Sequence, residues 1–123
     1  MPDMPREPIY KIADRSAWVE ASAAGIYRGS LDDLRDGFIH FSTREQLVET
    51  ARKHYCGREA LVLIAFDAKR LGEGLKWEAS RGGALFPHLY ADLPTASALW
   101  VRDLPLRSDG VPDTDAALLE ARP

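Results

Sequence analysis

Three short stretches of the 123-residue sequence carry side chains suited to acid–base and ligand chemistry: G-F-I-H-F-S at 37–42, L-K-W-E-A-S at 75–80 and F-P-H-L-Y at 86–90. Strand alternation through the first puts Phe38, His40 and Ser42 on one face and Ile39 and Phe41 on the other. An imidazole and a hydroxyl two residues apart among large apolar neighbours need polar partners if they are buried. Few residues can supply them, and the ones that stand out are Glu78, His88 and Tyr90. The three stretches are therefore expected to line one cleft.

Each of these residues has a plain structural use beside its chemical one. His40 reads as a half-buried ring bonded to a backbone carbonyl, or as a ligand contact or acid–base group at a strand-to-helix junction, where free N–H groups and a positive helix end favour an anion. Ser42 reads as a helix N-cap, a role compatible with facing a ligand. Glu78 reads as a solvated carboxylate, or as one that orients a ribose hydroxyl or stabilises an oxocarbenium-like transition state. His88 and Tyr90 share a face with Phe86, which makes either an aromatic cluster closing the core or a shelf for a flat ring, stiffened by Pro87. No G-x-S-x-G elbow is present, which argues against a serine nucleophile. His40, His54 and His88 lie 14 and 34 residues apart, without H-x-x-x-H or C-x-x-C, so no metal site is assigned. His54, near a helix end, and Cys56 read as structural. Asp14, Asp32, Asp33 and Asp36 read as caps and turn residues.

The elements that must position these groups follow from periodicity. Residues 8–13 (P-I-Y-K-I-A) alternate as a strand, with Ile9, Lys11 and Ala13 on one face. Asp14 can cap a helix over 15–24, and Gly25 can stop it. A short extended piece at 26–29 and a turn or single helical turn at 30–36 follow. Leu47, Val48, Ala51 and Tyr55 recur at helical spacing over 43–55, behind either of two capping boxes, Ser42 with Glu45 or Thr43 with Gln46. Residues 60–66 (A-L-V-L-I-A-F) are continuously apolar, as in a central strand covered on both faces. Strands are expected at 75–80, at 85–90 and at 98–104. Pro87 places the second of these at an edge or makes it irregular. Residues 81–83 read as a flexible connection, 1–7 as a loose tail, and 107–123 as a polar tail in which 116–121 forms a frayed helix. The expected domain is 8–106. The order of elements points to an α+β fold with a bent, mostly antiparallel sheet and two main helices.

An apolar fraction of 46% and a charged fraction of 28% are those of an ordinary globule, and 123 residues suffice for one core. A net charge of −3 with basic residues scattered singly argues against nucleic-acid partners. No apolar run approaches the ~20 residues of a membrane span. The polar, proline-rich start does not read as a signal peptide, and a lone cysteine fits a reducing cytoplasm. A small-molecule ligand is the expected partner; the sequence carries no signal for an oligomeric state.

In this order, I-Y-K-I-A, a tryptophan, G-F-I-H-F-S, L-K-W-E and F-P-H-L-Y resemble the bacterial family known as domain of unknown function 952, over about residues 9–106. The resemblance implies a fold similar to the ADP-ribosyltransferase fold, a split sheet whose cleft holds NAD in active members. In that comparison His40 takes the place of a motif tyrosine, with Ser42 following. Lys11 stands where a first-strand histidine would be, and Glu78 is the counterpart of the catalytic glutamate. No arginine-rich NAD motif is present. The implied function is binding of NAD or an ADP-ribose-containing molecule, with His40, Glu78 and His88 in catalytic roles and Ser42, Tyr90 and Lys11 as ligand contacts. Two other classes stay open: a non-catalytic module for a metabolite or protein, and a metal-dependent enzyme using His40 and His88.

Overall fold

Leu61–Phe66 is buried at every position, which is what six consecutive apolar residues with no polar face require. This strand is the middle of a three-stranded antiparallel sheet in the computed structural model, which describes residues 7–79 and 83–119. In chain order the elements are β1 (Ile9–Asp14), α1 (Arg15–Ala24), β2 (Ile26–Tyr27), α2 (Leu31–Asp36), β3 (Ile39–His40), α3 (Leu47–Tyr55), β4 (Leu61–Phe66), β5 (Leu75–Ala79), β6 (Leu85–Leu89), β7 (Leu93–Pro94), β8 (Ala98–Leu104) and α4 (Thr114–Leu119). Short 3-10 turns precede α3, β5 and β8.

The strands form three antiparallel groups: β1-β4-β8, β3-β6-β5 and the ribbon β2-β7. The first two meet at a seam, where the Tyr10 and Ser42 backbones exchange two hydrogen bonds of 2.8 Å. The mixed α+β class and the antiparallel pairing agree with the sequence. The division is finer than a single bent sheet, because β2 and β7 pair only with each other. Of the four α-helices among the described residues, α1 and α3 are the long ones.

Alternation along β4 divides the interior into two cores. Val62, Ile64 and Phe66 face Trp18 of α1, Ile39 and Phe41 beside β3, and Leu89 and Leu93. Leu61, Leu63 and Ala65 face Leu47 and Ala51 of α3 and Ala117 and Leu118 of α4. Residues 107–119, read from composition as polar tail, are therefore packed: Val111, Thr114, Ala117 and Leu118 are buried. Small polar residues in the connection hide a short amphipathic helix that closes the second core. The expectations for residues 1–6, for the connection at 80–82 and for 120–123 lie outside the described residues.

Two local readings change. The Thr43–Gln46 capping box is the one that forms, while the Ser42 hydroxyl bonds Thr50 at 3.0 Å. β6 is the middle strand of its sheet, and β5 is the edge. Pro87 is tolerated there because its carbonyl, accepting from Phe41 N, points toward β3 just beyond the two residues where β3 ends. Its missing N–H points the same way and removes little ladder. Trp77 lies on edge strand β5 and is 46% exposed, so it is not core.

Candidate functional site

The site grows from the seam between the sheets. Register sets His40 of β3 directly opposite His88 of β6, which brings the side chains to one face. Their ring centroids are 5.5 Å apart. The rings line a cleft of about 510 Å³ together with Ser42, Thr50, Gln46 and Phe86. That size lies within the range of about 300–1,000 Å³ usual for small-ligand sites.

His40 is held on both sides. Its Nδ1 is 2.6 Å from Asp33 Oδ1 and its Nε2 is 3.0 Å from Asp36 Oδ2. Asp33 is the hub beneath it. Its Oδ1 also accepts from the His40 backbone N–H at 3.1 Å, and its Oδ2 accepts from Ser30 N and Lys11 Nζ, both at 2.9 Å. Burial would raise the Asp33 carboxyl, but the hydrogen bond from His40 and the charge of Lys11 outweigh it and hold it well below the usual carboxylate range. The hydrogen bond and charge of Arg35, with His40 adding to them, hold Asp36 low as well. Both ring nitrogens of His40 thus face carboxylates. Burial pulls the Lys11 ammonium down, and Asp33 acts against that pull. Lys11 also donates to the His40 carbonyl at 3.0 Å. Lys11 and Asp33 are 3% and 2% exposed, so the pair is a fully desolvated one under the cleft wall.

His88 is held differently. Its Nδ1 lies 2.8 Å from Glu78 Oε1, which also accepts from the Tyr90 hydroxyl at 2.7 Å. Phe38 stacks flat on the His88 ring at 4.0 Å and also touches the rings of His40 and Tyr90. The hydrogen bonds from His88 and then from Tyr90 keep the Glu78 carboxyl low, and donation to Glu78 raises the Tyr90 hydroxyl.

The structure thus gathers all six residues singled out from the sequence into one neighbourhood, in two tiers. His40, Ser42, His88 and Lys11 border the cleft. Glu78 and Tyr90 sit behind His88, and Lys11 is consumed by Asp33 and His40. Sequence reasoning missed Asp33 and Asp36, which read as caps and turns. Asp33 does complete the Ser30 capping box of α2, and that role hides the other. The available signal was an acidic run, D-D-L-R-D, ending one residue before G-F-I-H. Phe38 was placed on the right face without being given its role as the ring between the histidines. Among the described residues no group of three or more His, Cys, Asp or Glu is arranged to hold a metal ion. No helix among the described residues is long and apolar enough to cross a membrane.

Comparison with known proteins gives relatives whose descriptions name no activity. The family described as "Protein of unknown function (DUF952)" matches residues 12–101. The X-ray structure of protein CC0527 from Caulobacter crescentus is 52% identical, with a TM-score of 0.86 over 90% of this chain and 98% of that one. The crystal structure of a double mutant of the same protein gives 51% identity and a TM-score of 0.86 over the same shares. Its solution NMR structure gives 52% and 0.81, covering 91% of this chain and 97% of that one. No curated protein matches the chain.

Proposed function

The chain belongs to the DUF952 family, proteins of unknown function, and on that premise we propose that its cleft binds a small molecule bearing a flat ring and hydroxyl groups, a nucleoside-like ligand. The observation that carries this reading is the pair of neighbouring histidines, each clamped by its own carboxylates, above a desolvated Lys11–Asp33 pair. Such an assembly stabilises a fold less than apolar packing of the same volume would, and clusters of this kind concentrate at functional sites. Tyr55 and Phe86 on the cleft wall offer faces for a ring, and His88 and Ser42 offer polar edges for hydroxyls.

NAD and ADP-ribose contain such a ring and such hydroxyls, and the resemblance to the ADP-ribosyltransferase fold makes them the first ligands to test. The fit is closest for their nucleoside portions. Arg35 and Lys53, cations on the wall, are engaged by Asp36 and Glu49, so a pyrophosphate would compete with carboxylates for them. The test is a thermal shift with millimolar NAD, ADP-ribose, adenosine and nicotinamide. A ligand at about 100 times its dissociation constant adds roughly 2.7 kcal/mol to the folded state. A rise in Tm that Phe86→Ala or His40→Ala removes supports the reading. No rise with any of the four overturns the nucleoside-like assignment.

A further inference from the structure

We propose that His88 is the proton acceptor of the cleft, set by Glu78 so that Nε2 presents a lone pair to a ligand hydroxyl. The proposal rests on the ligand-binding reading above and adds to it the class of chemistry, proton removal from an O–H group. Four observations support it. The ionised Glu78 carboxylate lies 2.8 Å from Nδ1, so the ring proton sits there and Nε2 is left as the acceptor. The Tyr90 hydroxyl bonds the same Glu78 oxygen and fixes it in place. Phe38, stacked at 4.0 Å, fixes the plane of the ring. Finally, His88 is only 6% exposed and Glu78 is its one hydrogen-bond partner among the described residues, yet no buried polar side-chain atom there lacks a partner. Nε2 is therefore not sealed away from solvent, and His88 borders the cleft.

His40 makes the contrast. Both its nitrogens face carboxylates, so neither is left free for a ligand hydroxyl. Two adjacent histidines are thereby given different surroundings. In the reaction the ligand O–H bond breaks, its proton passes to Nε2, and the electron pair stays on the ligand oxygen. Glu78 offsets the charge of the imidazolium so formed through the Nδ1–H bond. The groups facing His88 are Glu78 and Lys76 from β5, Tyr90 just beyond the end of β6, and His40 from β3. Glu78 and Tyr90 are positioning residues, since they act through His88.

The experiment reads protons directly and needs no ligand: long-range 1H–15N correlation spectra of the 15N-labelled protein at about pH 8, above the ordinary histidine range. His88 is expected to show a protonated Nδ1 and an unprotonated Nε2. In Glu78→Ala, His88 is expected to relax to the tautomer mixture of free histidine. A protonated Nε2 on His88 in the unaltered protein, or an unchanged tautomer in Glu78→Ala, overturns the assignment. Neither result bears on the thermal-shift test, so the failure of one reading is separable from failure of the other.

Discussion

Replacing Asp33 by asparagine tests the hub of the site. The substitution keeps the side-chain shape and removes the charge that answers Lys11, in a place where both side chains are at most 3% exposed. Lys11 is then left as an uncompensated buried cation, and the His40 ring loses the charge of the nearer of its two carboxylates. Breaking a buried pair on one side costs about 3–5 kcal/mol. That is a large part of the roughly 5–15 kcal/mol that holds a domain together. At this chain length it corresponds to a fall in Tm of roughly 10–30 °C. Urea and thermal unfolding would measure it, with Lys11→Met and the double variant completing a cycle. The double variant is expected to be more stable than the sum of the single losses allows, since replacing both partners removes the unpaired charge. A pH series adds an independent reading. The Asp33 carboxyl titrates lower in the folded state than in the unfolded one, so below the unfolded value of about 3.9 the unfolded chain binds the extra proton. Its contribution is present above that pH and is lost as the pH falls through the lower folded value. Asp33→Asn should flatten that acid limb. A cost under about 1 kcal/mol, or strict additivity in the cycle, would refute the argument.

Gly29 has φ +117°, and a Cβ there would stand 2.6 Å from the Cβ of Asp33; Gly29→Ala should cost roughly 2–4 kcal/mol by urea denaturation and shift the His40 resonances. Gly25→Ala, at φ +88° with nothing within 4 Å, isolates backbone strain at about 1–2 kcal/mol, and equal costs at both positions would contradict the contact argument. Leu118→Ala should cost about 2–4 kcal/mol, because α4 closes the second core; a loss under about 0.5 kcal/mol would show that the C-terminal helix is dispensable.

What the sequence displayed was whatever depends on nearest neighbours. The alternation of G-F-I-H-F-S places Ile39 and Phe41 in the core and His40 toward the cleft, as the structure has them. The continuous apolar run is the central strand, and the Thr43–Gln46 box starts the segment leading into α3. The carboxylates that matter most were not visible as such. Asp33 meets Lys11 from 22 positions away, and only the seam between β1 and β3 brings them together. A residue that also caps its own helix gives no local sign of a second task. The role of Phe38 depends on the β3–β6 register, and the burial of α4 depends on which face of β4 stays uncovered without it. Both are long-range outcomes that spacing along the chain does not encode.

The two faces of β4 are also covered at different moments of synthesis. Every fully packed member of the first core lies at or before Leu93, whereas the second core waits for Leu104, Val111, Ala117 and Leu118. At translation rates of about 5–20 residues per second, the 25 residues from Leu93 to Leu118 take roughly 1–5 s. A chain lacking the residues after Leu93 would hold β4 with one face finished, the other partly bare, and the edge that β8 occupies open. Leu61 and Leu63 would then lie uncovered, so such a shortened chain is expected to aggregate more readily than the full one.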